Sequence, residues 1–417
     1  MAHATPHWSA ALGGAVSQVV ELSGRSPGLV VMSDAHVGAF WDRVAEAAQG
    51  VGDVINPNRE LAGFVARMGA RDLPVVSLGD AVDYAVDAYD GGPGIDNRDL
   101  FYRAIAPIEG RFAEIPGNHD HRGGAYNLRA WGLEHVNLDR DTLKRLAPRI
   151  GHTRLRAPWR ELGAIRPGAG GALAGFRGVQ SPARRRPGGF DCVMLNAHGD
   201  GFLHPAGLAR LGWRAAGARL AGRRANLSID CLGPGPDDLA ALDRLGPLTG
   251  AGPVLTLVHA PLVAARRRLC DGVQLDPVRF AAQRRRHGLD HHVIARGGGA
   301  LLARLRAGAL GQGGAAPRSQ VLLAGHTHRA RYHLVDAASL TLREVDLPTF
   351  NAAWGDPGQI KMATVLPLGV IDSHDDTPRL GWAEIGADGL HEVVSRSFVR
   401  RGARFAEVAA GPGARAV

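Results

Sequence analysis

Five short apolar runs, each ending in a carboxylate, a histidine or an amide, constrain this chain's fold more than any other feature. Leu29–Met32 runs into Asp34-Ala-His36, Val75–Leu78 into Gly79-Asp80-Ala-Val-Asp83, and Phe112–Ile115 into Gly117-Asn118-His119-Asp120. Val254–Val258 leads to His259-Ala-Pro, and Val321–Leu323 to Gly325 and His326-Thr327-His328. Runs this short and apolar read as buried strands. One polar patch at a strand end is unremarkable, and a lone histidine there is ordinarily a satisfied core or surface residue. Five in succession resist that explanation, because buried polar groups without partners are costly.

Between these runs lie helical stretches such as Leu61–Met68 and Asp237–Leu245, and the alternation predicts an α/β domain. Residues 1–27 read as a leader helix and linker ending in Ser23-Gly-Arg-Ser-Pro27. The domain is expected over 28–400, with a loose tail over 401–417. Two inserts interrupt it: 123–189, rich in Arg, Gly and Pro around a helix at Asp141–Leu146, and 262–318, with the glycine runs Gly297–Gly299 and Gly313–Gly314. After His328, strands at Tyr332–Val335, Leu340–Val345, Ala363–Ile371, Gly381–Ile385 and Glu392–Val394 extend the same core over about 332–394.

With 417 residues and 45% hydrophobic residues, the chain has ample material for a core and is not a disordered segment. No stretch of about 18 uninterrupted apolar residues occurs, so no membrane span is expected. The first residues lack a basic-then-apolar signal pattern. Cys192, Cys231 and Cys270 are far apart, which fits a reducing cytoplasm and argues against thiolate metal ligation. The formal net charge of +9 is almost wholly arginine, Lys144 and Lys361 being the only lysines. Arginine clusters at 184–186, 223–224, 266–268, 284–286 and 400–401 raise the alternative of a nucleic-acid surface. No aromatic residues interleave with them as stacking platforms would require, and a general bias towards Arg, Ala and Gly accounts for them more simply.

In an extended strand residues i and i+2 share a face, so Asp34 and His36 can address one ion, and His326 and His328 likewise. Carboxylate, imidazole and a side-chain carbonyl are donors for Mn²⁺, Fe²⁺ or Zn²⁺. The ends of parallel strands are where open α/β sheets place ligands. The seven candidates Asp34, His36, Asp80, Asn118, His259, His326 and His328 are too many for one ion and suit two ions sharing a bridging carboxylate and water.

With all five blocks in this order, the chain resembles the calcineurin-like metallophosphoesterase superfamily over Leu29 to about His328. The resemblance implies a four-layer α/β/β/α sandwich with two mixed sheets. It implies one metal on Asp34, His36 and His328, another on Asn118, His259 and His326, and Asp80 bridging them. It further implies His119 as the catalytic histidine, steadied by Asp83. The implied reaction is hydrolysis of a phosphomonoester or phosphodiester by attack of a metal-bridged hydroxide. The implied cofactors are two divalent ions, Mn, Fe or Zn, with Mn favoured, and the implied partner is a small anionic phosphoester.

Charge counting explains why this donor mix suits phosphate. Two divalent ions bring four positive charges, and Asp34, Asp80 and a bridging hydroxide remove three. The surplus favours an anionic ester and the charge that builds in its transition state. Two ions about 3.5–4 Å apart lower the pKa of shared water and clamp phosphoryl oxygens, and a histidine then protonates the leaving oxygen. An amide rather than a carboxylate at Asn118 preserves that surplus.

The sequence leaves rivals. His198, in Asn196-Ala-His198-Gly-Asp200 after the strand Cys192–Leu195, competes with His259 for the fourth block, or lines the pocket. Asp83 could instead cap a helix. His121 and Arg122 are candidates to contact substrate. Asp83 is followed by Tyr84-Ala85 rather than Arg-Gly, which disfavours the protein-phosphatase branch, and the Asp83/His36 pair disfavours a tyrosinate–iron centre. A nuclease, or a non-catalytic scaffold on the same fold, are the remaining functional alternatives. Nothing in the sequence sets an oligomeric state.

Overall fold

The computed structural model describes residues 28–37, 55–82, 97–117, 120, 177–179, 183–195, 220, 236–244, 248, 250, 252–263, 298–371, 375–401 and 404–408. Two mixed sheets form its centre. The first has six strands in the order β13-β12-β11-β1-β2-β3, where β1 is Leu29–Met32, β2 Val75–Ser77, β3 Phe112–Glu114, β11 Arg379–Gly386, β12 Gly389–Arg401 and β13 Arg404–Val408. The second has seven, β4-β5-β6-β7-β10-β8-β9: Ala183–Arg185, Asp191–Met194, Val254–Leu257, Gln320–Ala324, Gln359–Thr364, Arg331–Asp336 and Leu342–Val345, in that spatial order. Strands β1, β2 and β3 are mutually parallel, as are β5, β6, β7 and β10, so each sheet gathers a set of carboxyl ends.

One apolar cluster fills the space between the sheets, with Val31, Val76 and Ala383 on one side and Leu255, Leu323 and Ala363 on the other. Each outer face is covered by helices. Helix α1 (Pro57–Gly69) and helix α2 (Asn97–Ile105) pack on the six-stranded sheet through Leu61, Phe64, Met68 and Phe101. Helix α3 (Pro236–Asp243) and helix α4 (Gly298–Leu310) cover the seven-stranded sheet through Leu242, Leu301, Leu302 and Leu305. A short fifth helix, α5, spans Leu347–Ala352. The architecture is therefore an α/β/β/α sandwich with two mixed sheets. No helix among the described residues is long and apolar enough to cross a membrane.

Local sequence explains α1. Asn56 accepts a hydrogen bond from the Arg59 amide at 3.0 Å, Pro57 opens the first turn, and Glu60 lies near the positive helix end. Leu61, Phe64, Val65 and Met68 recur at helical spacing and are all buried. Full burial of each is worth about 1.5–3 kcal/mol.

Two expectations need correction. The strand expected at Ala363–Ile371 is β10, Gln359–Thr364: Pro367 and Gly369 end the extended run, and residues beyond it turn back to donate from Leu368 to Ser33 O at 2.9 Å. The tail expected from 401 is not loose throughout, because Arg404–Val408 pairs antiparallel with β12 and buries Phe405. That strand escapes notice because Phe405 is its one buried apolar side chain among the described ones, Glu407 and Val408 being exposed. The expected leader (1–27), Asp141–Leu146 and most of both inserts lie outside the described residues.

Candidate metal centre

The loops after β1 and β2 run side by side. Asp34 donates its amide to Gly79 O (3.0 Å), His36 to Asp80 O (2.8 Å) and Val37 to Ala81 O (3.0 Å). From the other sheet, the loop after β7 meets that after β6 through Gly325 N to His259 O at 2.9 Å. The two pairs are tied where the His326 amide donates to the Asp34 carboxylate at 3.0 and 3.2 Å. Glycine is required at this junction: a Cβ on Gly325 would stand 1.7 Å from Ser33 Oγ and 2.6 Å from Asp34 Oδ2.

Six of the seven expected ligands are described, and they form two triads: Asp34, His36 and His328, and Asp80, His259 and His326. Within each, one donor atom per residue lies within 4.8 Å of the others. Asp80 joins them, its Oδ2 being 3.1 Å from His259 Nε2 and 3.7 Å from His36 Nε2. Asp34 Oδ1 lies 3.5 Å from His328 Nε2 and 3.9 Å from His36 Nε2. All but His328 are buried.

Of the two i, i+2 pairs, Asp34 and His36 share a triad as strand alternation expects, whereas His326 and His328 fall in different triads, the division implied by the family resemblance. Asp34 (φ 54°), His36 (47°), Asp80 (51°), His326 (69°) and His328 (54°) all adopt left-handed geometry, so none of the five continues its strand. Among the described residues only one other non-glycine, Leu340, has positive φ. Such residues cost about 1–3 kcal/mol each and persist only where the surroundings enforce them, characteristically at functional sites. Concentration at five candidate ligands is not accounted for by packing.

The donor set fits divalent cations. A carbonyl only accepts hydrogen bonds, so His259 Nδ1, 2.9 Å from Leu78 O, must carry the proton. Neutral His259 then presents the lone pair of Nε2 towards Asp80 Oδ2 and towards His326 Nδ1, 3.1 Å away. Lone pairs so arranged need a proton or a cation among them. Burial, the largest influence on His259, lowers its pKa, but the charge and hydrogen bond of Asp80 and the charge of Asp34 prevail and push it up to about 9. Burial likewise raises the Asp34 carboxyl, yet its hydrogen bond and charge interaction with His328, aided by His259, leave it below the ordinary value. Cys192, the described thiol, is buried in the core between the sheets and belongs to neither triad.

Asn118, His119, Asp83, His121, Arg122 and the rival His198 lie outside the described residues. For the fourth block it is His259 that the structure brings to Asp80. Two features went unrecognised in the sequence. One is a polar cavity of about 590 Å³ beside His328, lined by Arg329, Arg331, Arg379, Glu344 and Asp375 among others. The other is Asp120, buried against both the β2 and β3 loops. Its place as the last letter of the third block was the available signal.

Three arginines of the described clusters are used within the fold. Arg185 is buried, which draws its pKa down to about 10, and Arg186 Nε lies 3.8 Å from Asp191. Arg400 pairs with Asp376 at 3.1 Å and sits 4.7 Å above the Phe405 ring.

No protein-family model and no curated protein matches the chain. Similar solved structures include a metallophosphoesterase from Sphaerobacter thermophilus, at 13% identity over 88% of this chain and 89% of that one, with a TM-score of 0.29. Another is a purple acid phosphatase from yellow lupin (Lupinus luteus) seeds, at 13% identity and TM-score 0.37, covering 89% of this chain and 52% of that one. A third is a cold-active protein-tyrosine phosphatase of a Shewanella species, at 10% identity and TM-score 0.22, over 60% of this chain and 72% of that one.

The class defined by the molecule itself is an α/β/β/α sandwich carrying a paired carboxylate–histidine centre at its strand ends. The fold is the one implied by the resemblance to the calcineurin-like metallophosphoesterase superfamily.

Proposed function

We propose that this protein is a dinuclear metal-dependent phosphoesterase acting on a small phosphomonoester or phosphodiester. The observation that carries the reading is the meeting of two triads at Asp80, buried in all but His328, with five of their six residues in left-handed backbone. Divalent ions held there would polarise a phosphoryl group and lower the pKa of water shared between them. Asp34, His36 and His328 would hold one ion, and His259, His326 and Asn118 the other, with Asp80 common to both.

The protein's own contribution is preorganisation. The Leu78 carbonyl fixes the His259 tautomer, and the interloop hydrogen bonds fix where Asp34 and Asp80 stand, so little rearrangement remains when substrate arrives. His119, steadied by Asp83, delivers a proton to the departing oxygen. The cavity beside His328 offers arginines and carboxylates and almost no apolar surface, which suits a polar leaving group. The nuclease alternative is not favoured, since in the described clusters Arg185 is buried, Arg186 lies against Asp191 and Arg400 is held by Asp376 and Phe405.

The test is reconstitution with Mn²⁺ followed by side-by-side assay of a chromogenic monoester and diester. Metal-dependent hydrolysis of at least one is expected. Absence of hydrolysis by Mn²⁺-, Fe²⁺- and Zn²⁺-loaded protein would refute the reading.

A further inference from the structure

Asp120 is buried, and its carboxylate receives one backbone N–H from each of two loops. Oδ1 accepts from Val82 N at 3.2 Å, and Oδ2 from Gly117 N at 2.8 Å. Val82 lies two residues beyond Asp80, on the β2 loop. Gly117 immediately precedes Asn118 and His119, on the β3 loop. The loops touch: a Cβ on Gly117 would stand 2.2 Å from Asp80 Oδ1, and one on Gly79 would stand 2.4 Å from Gly117 N. A shift of a few tenths of an ångström in either loop therefore moves Asp80.

The clamp is itself anchored in the fold. Arg98, on α2, donates from Nη2 to Asp120 Oδ1 at 3.0 Å and to Asp120 O at 3.2 Å. Its Nη1 lies 3.7 Å from Glu114 Oε2 at the end of β3. Tyr102, one turn further along α2, donates to Glu114 Oε1 at 2.5 Å and accepts from Arg177 N at 2.6 Å. A short acid with two oxygens is the group this geometry demands, because an amide would turn a donor towards one of the two N–H groups.

We propose that Asp120, anchored by Arg98, is a positioning residue that sets the separation of the β2 and β3 loops, and hence of Asp80 from Gly117. This rests on the metal-centre reading above and adds a residue that touches neither ion nor substrate.

The test compares wild-type protein, Asp120→Asn and the double variant Arg98→Met/Asp120→Asn in three measurements: calorimetric Mn²⁺ titration, thermal melting without metal, and kcat and KM on a monoester. Asp120→Asn should weaken Mn²⁺ binding about 10-fold or more and lower kcat similarly, with KM within about twofold. The double variant removes an arginine charge left with the 3.7 Å contact to Glu114, and Glu114, still hydrogen-bonded by Tyr102, can be neutralised by a proton, so its melting temperature should recover towards wild type. Its Mn²⁺ affinity and kcat should stay low. Recovery of affinity along with stability would show that Asp120 serves stability alone and overturn the proposal, as would an Asp120→Asn protein with wild-type affinity. If Asp120→Asn does not fold, the double variant carries the comparison. Wild-type protein that binds no Mn²⁺ would instead remove the metal-centre reading, and the clamp's purpose with it.

Discussion

His259 Nε2 stands 3.1 Å from Asp80 Oδ2, although the two residues follow strands of different sheets. The centre thus depends on the sheets being docked as they are, with the apolar cluster between them setting the distance across which one ion pair must be shared.

That sharing separates two substitutions. Asp80→Ala should abolish binding at both positions and cut activity by at least about 100-fold. His328→Ala, at the more exposed end of the first triad, should lose one Mn²⁺ equivalent and leave the other. Counting bound Mn²⁺ by metal analysis after gel filtration distinguishes them. Equal stoichiometry in both variants would contradict the shared role of Asp80.

His119→Ala should lower kcat by about 10²–10⁴-fold, the usual contribution of a positioned general acid, while Mn²⁺ stoichiometry stays at two. Full activity in this variant would overturn the role given to His119.

Metal uptake should be pH-dependent in a stated direction. In protein stripped of divalent ions by chelation, the carboxylates of Asp80 and Asp34 raise His259 to about 9 against the lowering effect of its burial. A ligating nitrogen must shed that proton, so Mn²⁺ affinity should climb from pH 6.5 to about 9 and then level. The stability of the stripped protein should respond oppositely. Because the folded value lies above the ordinary 6.5, the contribution of protonated His259 is fully present below pH 6.5 and is lost as pH rises through about 9. Calorimetry in buffers of different ionisation enthalpy reads the released protons. Affinity that falls over this interval would contradict the assignment.

Gly325→Ala should be disproportionately harmful for one methyl group. Its Cβ would meet Ser33 Oγ at 1.7 Å and Asp34 Oδ2 at 2.6 Å, so the loops must part. A cost of about 1–3 kcal/mol in urea unfolding is expected, together with weakened binding at the Asp34 position. Unchanged Mn²⁺ affinity would show that the close approach is incidental.

The strands bearing the centre were legible because short apolar runs betray buried strands, and Leu29–Met32 is found just where its residues place it. Strand β10 was misplaced because Lys361, a buried lysine whose Nζ donates to Asp356 O at 2.5 Å, interrupts its apolar pattern. The division of His326 and His328 between triads could not be read from an alternating pattern, which puts residues i and i+2 on one face; only the family resemblance implied it. Asp120 stands in the third block, but its role could not be read there, because its carboxylate bonds backbone groups of loops contributed by two separate strands and sequence displays no such partners.

The most direct measurement is the anomalous difference map of a crystal soaked in Mn²⁺. Two peaks about 3.5–4 Å apart are predicted, one bounded by Asp34, His36 and His328, the other by His259 and His326, with Asp80 between them. A single peak, or peaks away from Asp80, would contradict a dinuclear centre in this protein.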